Sequence, residues 1–196
     1  MIRQFSEDLS EEEIHKLPVS QFEGRVYLID TMEKYYAALP SLRRSTMLGF
    51  DTETKPSFKK GTKHTVSLLQ LADDHQAWLI RLNHIGLPQE LADILSDNAI
   101  TKVGVAIHDD IKALRHLRKF EPGGFIDLQS VVGDHGIKPL GLKKISAIVL
   151  GFSISKSQQV SNWEAATLTW PQQMYAATDA WVCRRIYLRL NGYDGY

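Results

Sequence analysis

Three β-rich runs follow one another in the first half of the chain, and no other feature restricts the fold as much. MLGFDTE (Met47–Glu53), TVSLLQLA (Thr65–Ala72) and QAWLI (Gln76–Ile80) are separated by a Lys-rich loop and by the polar turn Asp73–His75. They are expected to pair consecutively and antiparallel, as a meander. From Pro88 the pattern alternates: helix Pro88–Leu95, strand Ile100–Val105, helix Asp109–Leu117, a short strand near Phe125–Leu128, and helix Leu140–Leu150 stopped by Gly151. Upstream, Arg25–Asp30 reads as a strand and Met32–Leu39 as a helix. Near the end, Thr169 and Gln172 are spaced as a capping box, and helical periodicity runs to about Leu190. A meander followed by helix–strand alternation predicts an α/β domain: one mixed sheet with helices packed on it.

The 196 residues suit one compact domain. Ahead of it, Ser6–Pro18 reads as a short acidic helix with a Ser10/Glu13 capping box, solvated on the surface. Residues 1–23 are accordingly expected to form an N-terminal helical extension and 24–196 the main domain. Lys plus Arg equals Asp plus Glu at 23 each, so any grip on a polyanion must come from local patches. Cys183 is the single cysteine, which excludes an internal disulfide and a multi-cysteine zinc site and fits a reducing compartment. The acidic N-terminus lacks the apolar run of a signal peptide or membrane span, so a cytoplasmic protein without membrane contact is expected.

Candidate chemistry lies in carboxylates placed on apolar elements. In GFDTET (Gly49–Thr54), Asp51 and Glu53 are two apart on a strand and point to one face. Alone, such a pair is common and reads better as the polar end of a strand, so the motif needs company. In KVGVAIHDDIKAL (Lys102–Leu114), Ile107, Ile111, Leu114 and Leu117 form the apolar stripe. Asp110 shares it, whereas Asp109 falls beside Lys112 and His116. An inward carboxylate needs a partner or a cation, although Asp110 could instead cap its helix. In MYAATDAWV (Met174–Val182), Tyr175 and Asp179 are four apart and share a stripe with Val182 and Ile186; as a lone pair they fit a core tyrosine beside a satisfied aspartate equally well. Four such acids on three separate elements of one small domain, with no zinc-type histidine spacing, suit magnesium or manganese.

These segments, in this order, resemble the motifs of the DEDD exonuclease superfamily, in the branch that includes ribonuclease D and the Werner syndrome exonuclease domain. GFDTET is similar to the first motif, VGVAIHDD to the second and YAATDA to the third, with LLQLA (Leu68–Ala72), LKKISAIVLG (Leu142–Gly151) and SNW (Ser161–Trp163) as connecting landmarks. The similarity spans roughly residues 24–190. Tyr175, four before Asp179, matches the tyrosine subtype; the histidine subtype would place histidine at position 174, which is Met. The chain departs from ribonuclease D where Ala166-Thr167 stands for Arg-Pro, and no accessory helical domain is expected to follow the catalytic one; both place the resemblance toward the Werner-like side.

The resemblance implies a ribonuclease H-like (DnaQ-like) mixed sheet flanked by helices, and 3′-5′ exonuclease activity. Asp51 would bridge two Mg²⁺ or Mn²⁺ ions, Glu53 and Asp179 would complete the first ion's shell, Asp110 would hold the second, partly through water, and Tyr175 would orient or deprotonate the attacking water. The implied partner is nucleic acid with a 3′ end, DNA before RNA. Substrate contacts are expected from Phe58, Lys59, Lys60 and Lys63 in the loop after the first motif, and from Lys143. Trp163 is expected to pack, and His108 has no necessary part. The competing readings are an RNA exonuclease of ribonuclease D type and a non-catalytic nucleic-acid-binding module.

Overall fold

The computed structural model describes residues 5–57, 61, 64–138 and 140–193. In chain order the elements are α1 (Glu11–His15), β1 (Arg25–Ile29), α2 (Met32–Arg44), β2 (Met47–Thr54), β3 (Val66–Ala72), β4 (Gln76–Arg81), α3 (Leu82–Ile85), α4 (Gln89–Ser96), β5 (Thr101–Gly104), α5 (His108–Leu117), β6 (Phe125–Asp127), α6 (Leu128–Gly133), α7 (Leu142–Leu150) and α8 (Trp170–Leu190). The strands form one sheet in the order β1-β4-β3-β2-β5-β6. β2, β3 and β4 are the expected antiparallel meander, while β1 joins β4, β5 joins β2 and β6 joins β5 in parallel. The result is a mixed sheet with helices on both faces.

Strand β3 is buried along its whole length because both faces are covered. Leu68 and Ala72 face a layer built from α6, α7 and α8, and Leu69 and Leu71 face a layer built from α2, α4 and α5. α8 lies across β2, β3, β4 and β5. Its closest approach is fixed by Gly49: a Cβ there would lie 1.7 Å from the Ala180 carbonyl oxygen. Only a residue without a side chain lets the helix backbone rest on β2 at that point.

Several boundaries differ from those expected. α2 continues through Pro40 to Arg44, because Tyr35, Leu39 and Leu42 bury one continuous stripe, and that packing outweighs the missing proline N–H. α3 and α6, of four and six residues, were not expected; pieces this short carry too little periodicity to be read. α1 is only five residues long, with the expected Ser10/Glu13 capping box, but it is docked rather than simply solvated. Ile14 is fully buried, and the segment after α1 joins the domain through Ser20 N–H to Ser153 O (2.9 Å), Ser153 N–H to Pro18 O (2.9 Å) and Phe22 N–H to Thr178 Oγ1 (3.0 Å). α7 ends as expected at Gly151, in the left-handed conformation (φ 75°). No helix among the described residues is long and apolar enough to cross a membrane.

Candidate active site

Strand alternation from Gly49 carries Asp51 and Glu53 onto the face that α8 covers, and Asp179 immediately precedes the Ala180 carbonyl that touches Gly49. One oxygen from each of Asp51, Glu53 and Asp179 lies within 4.8 Å of the others. Tyr175, one turn before Asp179 on α8, directs its hydroxyl to that carboxylate.

Asp110 stands beside this group rather than in it. The Thr52 side chain alternates away from Asp51 and Glu53, and its hydroxyl donates to Asp110 Oδ1. Asp110 is still near enough to act on the charge of Asp51. Asp109 is exposed, and the N-cap of α5 is Ile107 without a side-chain bond, so neither aspartate caps the helix. The turn that leads into α5 is instead held by Asp127, whose carboxylate accepts from Ala106 N (3.0 Å), Ile107 N (3.2 Å) and Gln129 N (2.9 Å). Ala106 has φ 56°, a left-handed conformation unfavourable for alanine, and the Asp127 bonds stabilise it.

A cavity of about 290 Å³ opens over the acids and is walled by Lys143, Ser155, Lys156 and Gln159, with Cys183 at its floor. Lys143 thus borders the acids, although its Nζ also lies 3.8 Å from Glu11 Oε2. Lys144 turns to the N-terminal segment, 3.0 Å from Asp8. Trp163 is fully buried with its ring centroid 6.0 Å from that of Tyr175, so it supports the tyrosine from behind. Phe58, Lys59, Lys60 and Lys63 lie outside the described residues. The ends of their loop are tied to one carboxylate, Glu164, by Lys55 (3.2 Å) and His64 (3.1 Å). Thr52, Asp127 and Lys156 were not anticipated. Thr52 sits between two acids and was masked by them. Lys156 falls in an aperiodic polar loop that carries no signal for position.

Burial raises the Asp51 carboxyl well above its ordinary range, and Asp179 and Asp110 add to the effect. Burial, followed by Asp51, raises Glu53 to about 9. Burial raises Asp179 to about 7, against the Tyr175 hydrogen bond and the Lys156 charge, which lower it. Burial also raises Asp110, and burial with the neighbouring carboxylates raises the Tyr175 phenol, which therefore stays protonated. Among the described residues, Lys55, Lys143 and Lys144 of this region pair with other carboxylates, Glu164, Glu11 and Asp8. Three converging acids with no ion pair among the described residues, and with only the more distant charge of Lys156 acting on one of them, fit a divalent cation with hard oxygen ligands.

This arrangement links stability to pH. A carboxyl with a raised native pKa holds a proton that the unfolded chain has released, so stability falls as pH rises from the unfolded value toward the native one. For Asp179 that window runs from 3.8 to about 7, and for Glu53 from 4.5 to about 9. Each retained proton changes stability by about 1.4 kcal/mol per pH unit, or roughly 3–6 °C in Tm for a chain of this size. The metal-free protein is expected to melt progressively lower between pH 5 and 8, and saturating Mg²⁺ or Mn²⁺ to restore more stability at pH 8 than at pH 5. Thermal melts with and without chelator check this; a metal-free Tm that is flat or rising over the range contradicts it.

The class of protein follows from fold and site together: an α/β nuclease domain with acids from a central strand and a crossing helix. The chain belongs to the 3′-5′ exonuclease family, whose model matches residues 26–192, and through it to the DEDD superfamily. It is 37% identical over 148 residues to Exonuclease 3′-5′ domain-containing protein 2 of Drosophila melanogaster, covering 74% of this chain and 25% of that protein. It is 31% identical over 186 residues to the bifunctional 3′-5′ exonuclease/ATP-dependent helicase WRN of Mus musculus, covering 89% of this chain and 13% of that one. The crystal structure of the Aedes aegypti Nibbler EXO domain matches with a TM-score of 0.81 at 25% identity, over 89% of this chain and 92% of that domain. The chain spans about a quarter or less of the length of the curated relatives just named.

Proposed function

We propose that this chain is a metal-dependent 3′-5′ exonuclease that hydrolyses phosphodiester bonds from the 3′ end of a nucleic acid strand, with DNA preferred. The observation that carries the reading is the convergence of Asp51, Glu53 and Asp179 within 4.8 Å, beside a protonated phenol, in the family's own motif positions. Asp51, Glu53 and Asp179 would hold a first Mg²⁺ or Mn²⁺ ion. Asp51 with Asp110 would hold a second, Asp110 partly through water because Thr52 occupies one of its oxygens. Bound there, such ions supply an activated water and stabilise the leaving 3′ oxygen. The Tyr175 hydroxyl, kept protonated by burial, orients that water by a hydrogen bond, and Lys143 and Lys156 meet the phosphate from the cavity wall.

The DNA preference rests on Ala166-Thr167, which stands where ribonuclease D has Arg-Pro, and on the match to WRN along most of the chain. Discrimination itself depends on contacts to the 2′ hydroxyl. The test is 5′-labelled DNA and RNA of one sequence, incubated with Mg²⁺ or Mn²⁺. Stepwise shortening from the far end, faster on DNA, is expected. Faster loss of RNA would make it an exoribonuclease, and binding without cleavage under either metal would leave only the non-catalytic module.

A further inference from the structure

A second cavity adjoins the acid cleft, of about 250 Å³, and shares two wall residues with it, Ser155 and Tyr175. Its floor is the first part of α8. Trp170, Met174 and Thr178 are one stripe of that helix, and Pro171 and Tyr175 belong to the next, which continues to Asp179. Val19 and Gln21 of the N-terminal segment form the opposite wall. The two cavities differ in chemistry. Lys143 and Lys156 line the acid cleft, whereas among the described residues no Lys, Arg, Asp or Glu lines the second, whose walls are apolar or carry hydroxyl and amide groups.

Trp170 is the unusual member. The other tryptophans, Trp78, Trp163 and Trp181, are 1%, 0% and 9% exposed, while Trp170 is 62% exposed on the first turn of a 21-residue helix. A large ring left in water at the mouth of a cavity is suited to receiving a flat partner. From Trp170 the helix rises about 7.5 Å to Tyr175, a wall residue of both cavities, and about 13.5 Å to Asp179, so the tryptophan lies within a few nucleotides of a phosphate held at the acids.

We propose that this cavity is a nucleobase subsite, in which Trp170 stacks one base of the strand whose phosphate lies in the acid cleft. The assignment rests on the nucleic-acid reading of that cleft. The charge-free lining rejects a phosphate and accepts a base, and stacking on an aromatic ring tolerates any base because each presents a π face. Trp170 is therefore a substrate-binding residue that holds the strand in register and leaves the chemical step to the acids.

The test uses single-stranded oligonucleotides carrying one abasic residue, scanned over the first four positions from the 3′ end. Binding is read by fluorescence anisotropy in the Asp51→Asn background, and turnover in the otherwise wild-type chain. Trp170→Ala is expected to weaken binding and raise KM by about five- to 150-fold, the range of one aromatic–base stack, with kcat little changed. Trp170→Phe should restore most of the affinity. One abasic position should cost the chain with Trp170 a similar factor and cost Trp170→Ala nothing further. Unchanged binding by Trp170→Ala, or abasic penalties equal in both proteins at every position, overturns the subsite. Binding that follows the expected pattern in a protein that leaves every strand uncut overturns the exonuclease reading and keeps the subsite. Since the ring is exposed, melting curves of the variants should coincide with that of the parent.

Discussion

Asp51→Asn is expected to lower turnover by about a thousandfold or more while raising the melting temperature of the metal-free protein. The two effects have one cause. Asp51 is the carboxylate on which Glu53, Asp179 and Asp110 all act or are acted upon, and burial holds it in a site where no basic group among the described residues pairs with its charge. Removing that charge removes the ligand shared between the proposed ions, and several kcal/mol of transition-state stabilisation with it. The same change relieves like-charge repulsion in the empty site, so the folded state gains. A variant that is both more stable and inactive separates a functional acid from a structural one, since loss of a structural partner lowers both. Asp109→Ala should keep most of the activity, because that side chain is exposed and caps nothing. Single-turnover rates on labelled oligonucleotide, with thermal melts in chelator, check both variants. Equal losses at positions 51 and 109 would show that the wrong aspartate had been assigned.

The features legible in the sequence were those written in local periodicity. A spacing of two put Asp51 and Glu53 on one face of β2, and a spacing of four put Tyr175 and Asp179 on one stripe of α8. Consecutive β-rich runs fixed the meander. What periodicity cannot carry is how elements meet. The phase of α5 places Asp110 on the apolar side, but only the fold shows that Thr52, facing away from its two acidic neighbours, is the group it meets. The turn before α5 depends on Asp127, far along the chain on another strand, so nothing near Ala106 announces its left-handed backbone. Pro40 shows the converse. The helix expected over Met32–Leu39 stops short of the proline, and burial of Leu42 carries α2 past it. Lys156 entered the site from an aperiodic loop, where position follows from the two helices that the loop connects.

Gly49→Ala is expected to lower the melting temperature by about 6–12 °C and to reduce activity by about a hundredfold or more, although position 49 bears no functional group. A methyl at this position would fall 1.7 Å from the Ala180 carbonyl oxygen and 3.3 Å from the Arg184 backbone nitrogen. Both obstacles are backbone of α8, so no rotamer change clears the collision and the helix itself must move. Overpacking of that kind costs about 3 kcal/mol, which is roughly 6–12 °C for a chain of this length. The residue before Ala180 is Asp179, and two residues after Gly49 is Asp51, so the displacement that admits the methyl separates the two carboxylates that must converge. Catalytic geometry tolerates little: a misplacement of about 1 Å can cost roughly a hundredfold. Metal titrations followed by melting temperature distinguish this from simple instability. If the site is spread, Gly49→Ala gains less stabilisation from saturating Mg²⁺ or Mn²⁺ than the parent does at the same pH. If the variant folds with full metal response and full activity, the contact between β2 and α8 at Gly49 is not what brings the acids together.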